Sequence, residues 1–222
     1  MKILIALFLT AACKPSAPAG PHAAGHAYFS QAGCVACHKV GDEGSAVGPD
    51  LTLVGFRHDA KWLDLFIKDP QAWKPDTLMP NKRISEEARK AIVEYLVVQK
   101  GEAWNGAKPW TSVVEPVAKG RVIYTRAGCV GCHGPDGLGG YPNNNVAGGK
   151  IPKLSGVKET FTKPELIAKI KRGVKPIKND PKGPEPLVAM PAWGEKLDEA
   201  ELDAVASYLL SLGSKSAEKP EF

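Results

Sequence analysis

Ala32-Gly33-Cys34-Val35-Ala36-Cys37-His38 decides the fold of this chain, together with its near copy Ala127-Gly128-Cys129-Val130-Gly131-Cys132-His133. Two thiols three residues apart, followed at once by an imidazole, form two thioethers to haem vinyl groups while the histidine ligates the iron from the same turn. The spacing is the attachment signature of c-type haem. A zinc site needs further Cys or His pairs at ligand spacing, and none follow. A thioredoxin-like dithiol needs a strand before the motif, whereas both copies follow short helical stretches. The sequence therefore predicts two covalently attached haem c groups, one on Cys34, Cys37 and His38 and one on Cys129, Cys132 and His133.

The motifs lie about 95 positions apart in 222 residues, which favours two domains. Domains of that size have marginal apolar cores, and a buried haem supplies much of the missing volume. The two motifs use four of the five cysteines, leaving Cys13 and no disulfide framework within a monomer. The formal charge of +5 is mildly basic; about four haem propionates bring the holoprotein near neutral, so nucleic acid is not an expected partner.

Residues 1–12 carry Lys2 and then the apolar run Ile3 to Leu9, far short of the roughly 20 residues of a membrane-spanning helix. They read as an export signal. The signal ends Leu9-Thr10-Ala11-Ala12-Cys13, which resembles a bacterial lipobox with Cys13 as the acylated first residue of the mature chain; the bland alternative is cleavage after small residues. Residues 13–24, rich in Ala and Pro, form a lipid-anchored flexible tether in this reading. A first module follows over 25–101, a connector over 102–116, a second module over 117–213 and a tail over 214–222.

Both modules share more than the motif. Gly25 with Phe29 and Gly120 with Tyr124 each place an aromatic four residues after a glycine and five before the first motif cysteine. Each module ends in an amphipathic helix. Ser85 caps the first, with Ile92, Tyr95 and Leu96 on one face, and Asp198 with Glu201 makes a capping box for the second, with Leu202, Val205, Ala206 and Leu209 on its stripe. The chain is an internal duplication.

Each half resembles a class I cytochrome c domain, and the whole resembles the exported diheme cytochromes c. The resemblance implies an all-α fold of two tandem domains, each wrapped around one haem. It implies that the first and last helices of a module cross at the glycine and aromatic pair, Gly25 and Phe29 with Tyr95, and Gly120 and Tyr124 with Tyr208. It also implies a proline whose carbonyl accepts the proximal histidine's ring N–H, a place that Pro49 and Pro152 fit, fixing the imidazole's tautomer and orientation.

Apart from Met1 the chain has two methionines, Met79 and Met190, one per module, each between motif and last helix and each followed by proline. Methionine is usually core filler. One in the same context of each repeat points to thioether ligation of iron, as His/Met pairing in cytochromes c implies. The metal ligands would be His38 with Met79 and His133 with Met190; the rivals His22, His26 and His58 read as solvated.

The modules differ in length. Histidine to proline spans 11 residues in the first and 19 in the second, and proline to methionine spans 30 and 38. The extra residues, 137–149 and 174–187, read as surface loops. Between them Thr162-Lys163-Pro164-Glu165 opens a helix with a capping box. The matching helix in the first module runs from about Asp59 to Lys68, with Trp62, Leu65 and Phe66 expected on its inner side. Trp73, Trp104, Trp110 and Trp193 read as packing residues near haem or the domain interface.

Two six-coordinate haems leave no open iron position, so the expected role is an electron carrier between periplasmic or membrane-bound redox partners of a respiratory chain, not an enzyme. The alternatives are a haem-bearing subunit of a membrane oxidoreductase, a diheme peroxidase, and a diheme thiosulfate dehydrogenase, which requires a cysteine axial ligand inside a module. From Lys150 to Lys182 ten basic residues face only Glu159, Glu165 and Asp180. That face reads either as solvated or as a dock for an acidic partner.

Overall fold

The structure is a computed structural model that describes residues 20–212. The export signal, Cys13 with the tether up to residue 19, and the tail expected at 214–222 lie outside the described residues. The described chain is all-α, with ten helices, α1 (Ala23–Gln31), α2 (Val54–Arg57), α3 (Ala60–Lys68), α4 (Pro70–Trp73), α5 (Glu86–Val97), α6 (Pro116–Arg126), α7 (Val130–His133), α8 (Val157–Thr160), α9 (Lys163–Arg172) and α10 (Glu199–Leu212). One hairpin joins β1 (Lys39–Val40) to β2 (Glu43–Gly44). No helix among the described residues is long and apolar enough to cross a membrane.

In each module the first helix crosses the last, α1 on α5 and α6 on α10. The crossing is close because the residue at the contact lacks a side chain. A methyl group at Gly25 would overlap the Ala91 carbonyl oxygen and come within 2.6 Å of Tyr95 Cβ; one at Gly120 would overlap the Ala204 carbonyl and come within 2.7 Å of Tyr208 Cβ. The paired aromatics follow, Phe29 with Tyr95 at 5.6 Å and Tyr124 with Tyr208 at 5.3 Å between ring centroids.

Side chains close the helix ends as their types require. Ser85 Oγ accepts from Ala88 N at 3.2 Å. Asp198 Oδ1 accepts from Glu201 N at 2.8 Å while Glu201 Oε2 accepts from Asp198 N at 3.0 Å, a complete capping box. At α9 the Glu165 carboxylate accepts from Thr162 N at 2.8 Å and from Thr162 Oγ1 at 2.7 Å. Its pKa is lowered by those bonds. Asp59 caps α3 by accepting from Trp62 N at 2.8 Å.

The inner face of α3 differs from the sequence expectation. Leu63 is buried and Ile67 packs beside it, whereas Leu65 is 43% exposed. Residues 63 and 67 share a face one turn apart, and residue 65 is carried about 200° around the axis from 63. Trp62 does pack on the core, and Phe66 stacks on it at 4.8 Å.

The two added segments of the second module are not independent loops. Asn143 is buried, donates from Nδ2 to the Val188 carbonyl at 2.9 Å and accepts from Val188 N at 3.2 Å. Asn144 does the same with the Glu185 carbonyl and Leu187 N, and Asn145 with the carbonyls of Asp180 and Pro184 and the amide of Asp180. Three consecutive asparagines thus clasp the segment that leads into Met190.

The connector is part of the core. Trp110 is fully buried, and its Nε1 donates to Glu201 Oε1 at 2.6 Å, while Lys108 Nζ donates to Glu201 Oε2 at 2.6 Å. Trp104 meets Trp110 edge to face at 5.1 Å. Leu53 of the first module belongs to the same apolar cluster as the second module's helices, and Phe56 packs on Trp193 at 5.3 Å. The two repeats share one hydrophobic contact through these residues.

Candidate functional site

Each motif coils into a single turn that presents its side chains together. Gly33, left-handed at φ 74°, starts a short 3-10 turn over Cys34–Ala36, and His38 N bonds to the Cys34 carbonyl at 2.9 Å. In the copy, Gly128 at φ 89° precedes α7, and His133 N bonds to the Cys129 carbonyl at 2.9 Å. The loop beyond each motif folds back onto it. Gly48 N donates to the Cys37 carbonyl at 2.7 Å, Leu51 N to the Lys39 carbonyl at 2.7 Å, and Leu154 N to the Gly137 carbonyl at 2.8 Å.

That return brings each proline to its histidine. His38 Nδ1 lies 2.8 Å from the Pro49 carbonyl oxygen and His133 Nδ1 lies 3.2 Å from that of Pro152. A carbonyl only accepts, so Nδ1 carries the proton and Nε2 keeps its lone pair for a metal. Gly48 completes the first cradle, since a methyl group there would sit 2.9 Å from His38 Cε1. Burial lowers the pKa of both imidazoles, opposed in each case by the proline hydrogen bond, and the Arg57 charge adds to the lowering at His38. The lowering favours the neutral ring, the form that coordinates.

The four motif cysteines are unbridged. Burial pushes the thiol pKa up at Cys34 and Cys132, and to about 12 at Cys129. A reactive dithiol has the opposite shift. No group of three or more His, Cys, Asp or Glu side chains placed to hold a metal ion occurs among the described residues. Cys34, Cys129 and Cys132 lack the lowered pKa of a reactive dithiol. Two unbridged thiols and an oriented imidazole on one turn, twice over, are the donor set that covalent haem requires.

The methionines are held by their own loops and unequally. Met190 exchanges two backbone hydrogen bonds with Val174, at 2.9 and 3.1 Å, and packs on the core cluster that includes Tyr124 and Leu209. Met79 is tied by side chains only. Its N–H donates to Thr77 Oγ1 and its carbonyl accepts from Gln71 Nε2, both at 3.2 Å, beside the fully exposed Leu78.

Of the rival histidines, His22 is exposed and His26 pairs with Glu43 at 2.8 Å on the surface. His58 corrects the expectation of a solvated ring: it is 7% exposed and stacks on Trp62 at 3.6 Å. Its Nε2 lies 4.0 Å from Cys132 Sγ of the other module. Its pKa falls well below the ordinary value through burial and then the Arg57 charge. Sequence reading took the polar neighbours of His58 as a sign of exposure, whereas they face a module boundary.

Sequence reading also missed Asp50, Thr52 and Arg57, all buried. Asp50 accepts from Thr52 N at 2.8 Å, from Thr52 Oγ1 at 2.5 Å and from Arg126 Nε of the second module at 2.6 Å. Arg57 donates to the carbonyls of Leu53 at 3.3 Å, Asp50 at 3.0 Å and Gly128 at 3.0 Å. The one signal available, for Asp50 and Arg57, was the mismatch with the repeat, which has Lys153 and Thr160 at their places; Thr52 meets the similar Ser155.

Comparison with known proteins agrees with this geometry. One relative, subunit 2 of cytochrome c oxidase from Alkalihalophilus pseudofirmus, is 35% identical over 81 residues, 32% of this chain and 24% of that protein. The chain thus aligns with about a quarter of that relative's length. No solved structure matches. The model of the family described as Cytochrome c matches twice, over residues 22–100 and 117–213, one match on each motif-bearing half. With most of its length so matched, the chain belongs to the cytochrome c family, proteins that hold haem c covalently and transfer electrons.

Proposed function

We propose that the chain carries two haem c groups, on Cys34, Cys37 and His38 and on Cys129, Cys132 and His133, with Met79 and Met190 as sixth ligands. In this reading Pro49 and Pro152 orient the proximal rings, and the protein passes electrons between redox proteins of a respiratory chain without transforming a substrate. The observation that carries it is the repeated unit of two thiols and one imidazole whose Nδ1 meets a proline carbonyl. Methionine ligation raises haem potentials, which suits a carrier placed late in such a chain. The test is a haem count per chain with spectroelectrochemistry of the full protein. Two haems are expected, and Met79→Ala and Met190→Ala should each abolish one methionine-to-iron band and lower one potential. A variant that leaves the spectrum and both potentials unchanged removes that methionine from the ligand set.

A second reading is favoured by the relative: a fixed haem-bearing subunit of a membrane oxidoreductase, as the name of the oxidase subunit suggests. Co-purification of stoichiometric partners distinguishes it from a carrier that purifies alone. Both readings place the chain on the periplasmic or outer face of a bacterial membrane, anchored by lipid on Cys13. Cys13→Ser should then move the protein from membrane to soluble fractions with its haem spectrum intact. Wild-type protein found soluble with an unmodified mature N-terminus counts against the anchor.

A further inference from the structure

Counted from Pro49 and Pro152, the positions of Asp50, Arg57 and His58 in the first module hold Lys153, Thr160 and Phe161 in the second. These three residues are thus not what a haem module needs as such. In the first module they form a buried cluster directed at the other module's attachment turn. The Arg57 guanidinium ties two things together: it donates at 3.0 Å to the carbonyl of Asp50, the residue after Pro49, and at 3.0 Å to that of Gly128, the residue before Cys129. The second motif is shaped to receive it. A methyl group at Gly128 would lie 2.7 Å from Arg57 Nη1, and one at Gly131, between the two thiols, would lie 3.1 Å from it. The first motif has Ala36 where the second has Gly131.

Arginine keeps its proton even when buried. The cluster contains two arginines, Arg57 and Arg126, and the Asp50 carboxylate, which pairs with Arg126 at 2.6 Å. One positive charge is left in a desolvated place between the two motifs. Haem iron bears one more positive charge when oxidised than when reduced, and reduction adds one electron and no proton. A fixed cation in low dielectric therefore disfavours the oxidised form.

We propose that Arg57 belongs to both haem sites at once, its buried charge raising both reduction potentials, so that the docking of the modules helps to set the potential at which the chain works. This rests on the two-haem reading above, and a haem count on the wild-type protein tests that reading separately: one haem per chain would overturn it before any potential is compared. The experiment is a spectroelectrochemical titration of the full holoprotein and of Arg57→Met, Arg57→Lys and Asp50→Asn. Arg57→Met should lower both midpoints, each by enough to change the ratio of reduced to oxidised haem about tenfold at fixed ambient potential, or 59 mV for a one-electron couple. Arg57→Lys should restore most of the shift. Asp50→Asn, which strips the cluster of its anion, should move both potentials the opposite way. Loosened packing that lets water in would move Asp50→Asn and Arg57→Met in the same direction, and that result overturns the proposal. So does an Arg57→Met protein with one or both potentials unchanged. If Arg57→Met does not fold, the upward shift in Asp50→Asn and the near-native values of Arg57→Lys decide; a downward shift in Asp50→Asn overturns it.

Discussion

At Gly25 and Gly120 a single absent side chain sets the distance between two helices. Any Cβ there meets a backbone carbonyl of the facing helix, Ala91 or Ala204, which does not move without unwinding a turn. Overpacking of this kind costs about 1–3 kcal/mol where neighbours yield, and more where the neighbour is backbone. Gly25→Ala and Gly120→Ala should each lower the unfolding free energy of the holoprotein by at least that much, read in a denaturant titration by earlier loss of the affected module's methionine-to-iron band, since the covalently attached haem itself stays on the chain. A control at Gly106, where a methyl group would meet nothing within 4 Å, has a left-handed φ of 85° and should cost only about 1 kcal/mol of backbone strain. At this scale the sequence was largely legible. The motif residues, the crossing glycines and the proline acceptors recur in two copies, and repetition separates a required residue from an incidental one. His58 and Arg57 occur once, so no internal comparison marked them except by disagreement.

At the scale of elements, capping residues announced α5, α9 and α10 because a cap is a local bond between neighbours in sequence, while α3 was placed by its match to α9 in the repeat. Facing was harder. The apolar run of α3 offers Trp62, Leu63, Leu65, Phe66 and Ile67, and only tertiary contact with α5 chose Leu63 over Leu65. The clasp of Asn143, Asn144 and Asn145 on residues 180–188 was hidden for the same reason, since its partners lie some 35 to 45 positions away. Its consequence falls on Met190, two residues beyond Val188. Asn143→Ala leaves the buried amide and carbonyl of Val188 without their partner, at about 1–3 kcal/mol for the unmet groups. The variant should unfold earlier, and it should lose the second module's methionine-to-iron band at a lower denaturant concentration than the first module's. Simultaneous loss of both bands would show that the clasp does not act on the Met190 loop.

At the scale of the whole molecule the modules meet head to tail: residues 50–58 of the first face residues 126–132 of the second, and the contact is not reciprocated. The corresponding face of the second module, around residues 153–161, therefore remains as a surface, and it lies in the basic segment. Of the ten basic residues from Lys150 to Lys182, Lys163, Lys171 and Lys178 are paired with Asp203, Glu199 and Glu185 of the same module. Those lysines serve the module itself. Lys158, Arg172 and Lys175 are exposed, as is Ile177, at 88%, two residues beyond Lys175. On the electron-carrier reading proposed above, such a surface would steer an acidic redox partner by long-range attraction. The second-order rate of electron transfer to that partner should fall as salt shortens the Debye length below about 10 Å. Charge reversal at Lys158, Arg172 and Lys175 should lower the rate at low ionic strength and flatten its salt dependence, without changing either haem potential. Reversal of Lys61 and Lys68, on the exposed side of α3 in the first module, should do neither. Stopped-flow rates across a salt series read both effects. Equal responses to the two sets of reversals, or a native rate indifferent to salt, would reduce the lysines to a solubility feature and leave the partner to dock elsewhere.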